Sequence, residues 1–253
     1  MKKIIIANWK MNTTIPEGLD LATQIRSGLS KSSCQVVLCP PATHLKPLFD
    51  ELQSSSISLG AQDMHWQDRG AYTGAISATQ IEEYCDFVIL GHSEMRKYSG
   101  ETDEDVFKKV AAALRHSITP ILCVGEGLDT KKSGKNEEFV KQQLKNILSK
   151  LFQISVPSSQ DFIIVYEPIW AISTNPGAKP DTPENAQKMV ELIKREIENN
   201  YKVKNITFRY VYGGSVNSGN AAALAKSTAI EGALVGAASL NAAEFIKVVN
   251  LFA

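Results

Sequence analysis

Neither sign of charge prevails in this chain. Lys and Arg number 27, Asp and Glu also 27, within 253 residues, so no global field gathers nucleic acid or an acidic membrane. An anionic ligand must then be met by local groups, and the expected partner is a small molecule. Cysteine is scarce. Cys34, Cys39, Cys85 and Cys123 form no CxxC pair and show no spacing with a nearby histidine that suggests zinc, so no metal is expected. Cys39 and Cys123 lie inside apolar runs and read as buried reduced thiols. Long hydrophobic stretches are missing too. Met1-Lys2-Lys3 before Ile4-Ile5-Ile6 imitates the start of a secretory leader, but Asn8 and Lys10 end the apolar stretch too early. No later run is long enough to cross a bilayer. A cytoplasmic protein is expected. With no Gly-rich linker, low-complexity tract or sequence repeat, residues 1–253 read as a single domain.

What the chain does have is a regular alternation. Short β-branched or apolar runs occur at 4–7, 36–39, 57–60, 87–90, 120–124, 162–166, 206–212 and 232–235, each followed by a turn and a helix-like segment. Helix starts are marked by Ser77-x-x-Gln80, Thr102-x-x-Asp105 and Asn241-x-x-Glu244, and Thr182-Pro183 sets Pro at a first helical position. Eight apolar strands, each followed by a helix, imply a parallel sheet covered by helices. At this length, closure into an eight-stranded parallel (β/α)8 barrel is favoured over an open doubly wound sheet.

Chemistry in such barrels sits where strands end. The tips carry Asn8 and Lys10, Gln62, His92-Ser93-Glu94, Glu126, Glu167, Gly213-Gly214-Ser215, and Gly236-Ala237-Ala238-Ser239. Among them Glu167 is the most telling, because a carboxylate closing an apolar strand before Pro168 needs a buried partner or a pocket. The ordinary alternative is a salt bridge to a helix lysine. His92 alone would be a polar residue near a turn, and Lys10 alone a solvated cation. The two small-residue loops after the last strands suit phosphate, using backbone N–H groups and a following helix N-terminus.

Six motifs in order, Asn8-Trp9-Lys10, Gly91-His92-Ser93-Glu94, Cys123-Val124-Gly125-Glu126, Tyr166-Glu167-Pro168-Ile169-Trp170-Ala171-Ile172, Tyr212-Gly213-Gly214-Ser215-Val216 and Leu234-Val235-Gly236, resemble the triosephosphate isomerase family along essentially the whole chain. The resemblance implies a TIM barrel that interconverts dihydroxyacetone phosphate and D-glyceraldehyde 3-phosphate, in glycolysis and gluconeogenesis, without a cofactor. It assigns Glu167 as the base and neutral His92 as the electrophile, a division of labour already described for this family. Lys10 and Asn8 would stabilise the enediolate, and Ser173, Ser215, Gly236 and Ala237 would hold the phosphate. Glu94 is expected to orient Lys10 or His92. A homodimer is implied, in which the long 63–75 loop reaches the other subunit's site through Thr73. Met64, Trp66 and Tyr72 on that loop are expected to be buried against the partner. His44, His65 and His116 read as structural or surface residues.

This chain also departs from the family pattern. The lid reads Ala171-Ile172-Ser173-Thr174-Asn175, where Ala-Ile-Gly-Thr-Gly is common, and its downstream part is about three residues longer. Ala237 replaces a glycine and would cost about 1 kcal/mol if its backbone needed a positive φ. Ala75 and Met95 stand where an acid and a base are usual, so an intersubunit ion pair is expected to give way to an apolar contact. Two rivals are open: a triose-phosphate binder whose altered lid prevents turnover, and another sugar-phosphate barrel enzyme such as an epimerase or synthase.

Overall fold

The computed structural model describes residues 2–29, 32–154, 156–173 and 178–253, apart from the side chain of Phe152. Eight strands run in parallel: β1 (Ile4–Asn8), β2 (Gln35–Cys39), β3 (Ile57–Ala61), β4 (Phe87–Leu90), β5 (Thr119–Val124), β6 (Gln160–Tyr166), β7 (Ile206–Tyr212) and β8 (Gly232–Val235). Each pairs with the next in chain order, and β8 returns to β1, closing the barrel. The expected runs agree with these strands to within two residues at each end. Closure rests partly on Gly232, which is paired with Ile4; a Cβ there would lie 1.8 Å from the Ile4 carbonyl oxygen.

The period-two alternation of the strands divides the apolar side chains into two cores. Ile4, Ile6, Cys39, Ile89, Cys123, Val165 and their counterparts fill the barrel interior. Ile5, Ala7, Leu38, Leu90, Leu122 and Ile164 face the helices, where they meet Leu48, Val110, Leu144, Ile193 and Phe245. All four cysteines are buried as free thiols. Burial pushes Cys85 up to about 12 and Cys39 and Cys123 well above the ordinary thiol value, so they act as small apolar residues. At the strands' N-terminal end buried Arg209 donates to Gln35 Oε1 at 2.9 Å, to Asp161 Oδ2 at 3.2 Å and to the Lys2 carbonyl at 2.6 Å. That leaves the opposite, C-terminal end as the place for chemistry.

The helix starts follow the caps. Ser77 and Thr102 form capping boxes with Gln80 and Asp105, and Thr182 caps the helix Pro183–Asn200. Thr14 with Glu17 forms another box that the sequence reading missed. At Asn241 only half a box exists. Its Oδ1 accepts from Glu244 N at 2.9 Å, but the Glu244 carboxylate turns instead to Ser218 N at 2.7 Å and Oγ at 3.0 Å.

The connection after β3 is the long irregular 62–77 segment followed by the short helix Ala78–Ile81, as the Ser77-x-x-Gln80 spacing indicates. One expectation needs correction. Within that segment Met64 is buried in this chain's own core and does not wait for a partner, while Trp66 packs against that core and stays half-buried. Only the loop's crest is left exposed, with Tyr72 tilted against His65 at 4.4 Å and Thr73 and Ala75 open to solvent. The other histidines are structural or surface residues: His44 is buried beside the Thr43 hydroxyl at 2.9 Å, and His116 lies between Glu82 and Asp68.

Candidate active site

Glu167 follows β6 directly and is 3% exposed. The ladder holds its backbone, since Glu167 N donates to Val124 O at 2.8 Å and Gly213 N to Tyr166 O at 2.8 Å. Pro168, with φ −64, then turns the chain into the short helical turn Ile169–Ala171. A second buried acid anchors this turn. Glu126 accepts from Trp170 Nε1 at 2.7 Å and from the Tyr166 hydroxyl at 3.2 Å. Burial raises the Glu126 carboxyl above its ordinary value, and those donors offset only part of that shift.

The Glu167 carboxylate takes three donors. Oε1 accepts from His92 Nε2 at 3.0 Å and Ser93 Oγ at 3.0 Å, and Oε2 accepts from Ser93 N at 3.1 Å. Burial alone would push this carboxyl up, but His92 and the two Ser93 donors outweigh it and hold the group below the usual carboxylate range. His92 caps the helix Ser93–Ser99, with Nδ1 accepting from Glu94 N at 3.2 Å. In the neutral ring that bond places the proton on Nε2, which then donates to Glu167. Burial lowers the His92 pKa, while the Glu167 and Glu94 carboxylates raise it by more, so the net direction is upward.

Lys10 lies across the pocket in an unusual backbone state. Its φ is +54, in the left-handed region, a conformation that costs a non-glycine residue of order 1–3 kcal/mol. Its ammonium donates to Glu94 Oε1 at 2.6 Å, and Glu94 Oε2 stands 3.7 Å from His92 Nδ1. Glu94 therefore touches both residues it was expected to orient. Asn8 sits below, its Oδ1 accepting from Lys10 N at 3.0 Å, and it is not part of the cavity wall.

These groups open onto a cavity of 250 Å³ lined by Lys10, His92, Glu167, Ile172, Ser173, Gly213 to Asn217, Leu234 and Gly236 to Ala238. Larger hollows lie elsewhere, one of 410 Å³ along the 65–83 segment and one of 550 Å³ beside Phe139. A 310 Å³ hollow also gathers Asp63, His65 and Lys109, but its carboxylate and imidazole are only half-buried; among the described residues the 250 Å³ cavity is the one that joins a buried carboxylate and a buried imidazole with an ammonium, the convergence expected of a site. Ala237 lies in the helical turn Ala237–Leu240 without a positive φ, so its methyl group costs no backbone strain. Thr73 is outside the cavity wall. The lid positions Thr174 and Asn175, with Pro176 and Gly177 beyond them, lie outside the described residues.

The sequence pattern that defines triosephosphate isomerase matches residues 3–252. The chain belongs to the triosephosphate isomerase family. It is 41% identical over 251 residues to the triosephosphate isomerase of Alkaliphilus oremlandii, covering 98% of this chain and 99% of that one. Against the enzyme of Gloeothece citriformis the identity is 42% over 256 residues, covering 99% of each. A crystal structure of triosephosphate isomerase from Bartonella henselae superposes with a TM-score of 0.87 at 33% identity, covering 100% of this chain and 99% of that one. The (β/α)8 barrel and the isomerase function thus go together in this triosephosphate isomerase family member.

Ser93 and Gln62 stand at strand tips, and the sequence pattern assigns neither of them a role. Ser93 is the first helical residue after the His92 cap, and only the fold turns its donors toward Glu167.

Proposed function

We propose that this isomerase interconverts D-glyceraldehyde 3-phosphate and dihydroxyacetone phosphate in the 250 Å³ cavity, with Glu167 as the base. The observation that carries the reading is the Glu167–His92–Ser93 cluster, a buried carboxylate and imidazole facing one cavity wall. The phosphate is met at the opposite end, by Ser173, Ser215, Gly236 and Ala237, where backbone N–H groups and the start of the turn Ala237–Leu240 favour an anion.

A carboxylate bound by three donors is a weak base, and His92 Nε2 cannot serve Glu167 and a substrate carbonyl together. Binding must therefore move the imidazole N–H onto the carbonyl oxygen and release Glu167 from Ser93. Glu167 then takes a proton from carbon 1, leaving an enediolate, and returns one to carbon 2, while His92 carries the hydroxyl proton from the carbon-1 oxygen to the carbon-2 oxygen. His92 polarises the carbonyl, and Lys10 faces the developing negative charge. Asn8 holds the Lys10 backbone; its bond to Lys10 N supports this indirect part, while its expected direct contact with the enediolate has no support in the cavity lining. No step calls for a cofactor.

A homodimer is part of the reading. Met11 is 96% exposed and Tyr98 73%, and Tyr72 and Thr73 at the loop's crest are exposed as well. Among the described residues no helix is long and apolar enough to cross a membrane, and a cytoplasmic location fits a glycolytic role. The rival reading, a binder without turnover, gains nothing from a pocket that keeps Lys10, His92 and Glu167 together. A coupled assay in both directions, with Glu167→Gln beside the parent, tests the proposal: rapid turnover lost in the variant supports it, and phosphate binding without turnover in the parent overturns it.

A further inference from the structure

We propose that Gln62 is a positioning residue that holds Lys10 in its strained backbone conformation, and so aims the ammonium into the pocket. The inference rests on Lys10 acting on the substrate, as proposed above. Gln62 follows β3 and contributes nothing to the cavity wall. Its Nε2 instead donates to the Lys10 carbonyl at 2.9 Å and to the Cys39 carbonyl, at the end of β2, at 2.9 Å.

The Cys39 carbonyl already accepts from Trp9 N at 3.1 Å, so β2 does not depend on Gln62 for satisfaction. The distinctive service is to Lys10. A non-glycine residue at φ +54 relaxes to negative φ unless its surroundings hold it, and such strain persists only where several bonds fix the peptides on both sides. Asn8 Oδ1 holds the Lys10 N–H at 3.0 Å from the same strand, and Gln62 holds its carbonyl from 52 residues away. The neighbouring Asp63 is itself fixed by the Lys109 ammonium at 2.7 Å, which anchors the segment that carries Gln62. A rotation about φ at Cα is amplified along the lysine stem, and a misplacement of about 1 Å at a reacting group costs on the order of 100-fold in rate.

A double-mutant cycle on the full-length protein tests this, using Gln62→Met, Lys10→Ala and the pair. The readouts are kcat and KM for D-glyceraldehyde 3-phosphate, competitive inhibition by inorganic phosphate, and the thermal midpoint. The expected result is that Gln62→Met lowers kcat/KM by on the order of 100-fold and weakens phosphate inhibition. In the Lys10→Ala background the same change should add no more than about twofold, because its effect passes through the missing side chain. An equal loss in both backgrounds overturns the proposal in favour of a general structural role. Parent-like activity of Gln62→Met beside a crippled Lys10→Ala overturns the proposal alone. Parent-like activity of Lys10→Ala overturns it together with the reading of Lys10. Should Gln62→Met fail to fold, Gln62→Asn, whose shorter amide falls back from the Lys10 carbonyl, runs the same cycle.

Discussion

At the residue scale the site is a competition for the Glu167 carboxylate. Ser93 offers it a backbone N–H and a hydroxyl, and His92 a ring N–H, all at 3.0–3.1 Å. Glu167→Gln keeps the shape but cannot take a proton, so kcat should fall by about 10²- to 10⁴-fold with KM little changed. Nearly intact turnover in that variant would remove Glu167 from its role. The pH dependence follows from the same bonds. Because the Glu167 carboxyl is held below the usual range, the acid limb of kcat/KM should lie below the ordinary carboxylate value. Ser93→Ala removes one donor to the ionised form, so that limb should move to higher pH. A profile that stays in place, or moves down, would show that Ser93 does not help to keep Glu167 ionised. The stability contribution has the matching sign: a depressed carboxyl stabilises the fold above its unfolded pKa, and that stability is lost as pH falls through the folded value.

At the element scale, the tip of β5 is packed too closely to tolerate substitution. A Cβ on Gly125, just beyond β5, would stand 1.9 Å from the Glu167 carbonyl oxygen, backbone that cannot yield without moving Glu167. Gly125→Ala should therefore lower kcat by more than tenfold, at a misplacement of even a fraction of an ångström, and lower the melting temperature too. A variant with parent kinetics would show that the tip adapts. Helix caps behave differently, being local and additive. Thr102→Ala removes the side chain that accepts from Asp105 N at 3.2 Å, and should cost about 1 kcal/mol in denaturant unfolding with kcat unaltered.

For the whole molecule, the most exposed liability is a buried charge cluster behind the active site. The Lys109 ammonium contacts Asp63 at 2.7 Å and the buried Glu101 carboxylate. Burial would lower the Lys109 pKa, but Asp63 and Glu101 outweigh it and raise the group. Its contribution is then complete below the unfolded lysine value and is lost as pH rises through the raised one. Burial raises Glu101, which Lys109 only partly offsets. Lys109→Met strands that carboxylate and should cost about 3–5 kcal/mol at neutral pH. Urea unfolding at pH 7 measures it, and a loss under 1 kcal/mol would show that Glu101 does not depend on Lys109 to remain buried. Assembly has its own test. Sedimentation should show a dimer, and a change in the 63–75 loop that yields monomers should lower activity; a fully active monomer would contradict the role given to Thr73. An interface that excludes Ala75 and Met95 would sink the idea of an apolar replacement there.

Eight continuous apolar runs, each followed by a helix-like segment, are a property of local sequence, which is why the barrel, its strand limits and the caps at Ser77, Thr102 and Thr182 are legible in the sequence. The motif residues could be read too, because Glu167 before Pro168 and His92 between Gly91 and Ser93 stand at strand ends whatever the helices do. Folding alone decided the pairings across the barrel. Ser93 meets Glu167 from 74 residues away and Gln62 meets Lys10 from 52, and no pattern in sequence marks either. The same holds for Met64 and Trp66, whose apolar character predicted burial but not the surface that buries them. Local residues thus determined which groups the strands present. Closure of the sheet decided which of those groups meet, because hydrogen bonds and packing between distant segments exist only once the chain has brought them within a few ångströms.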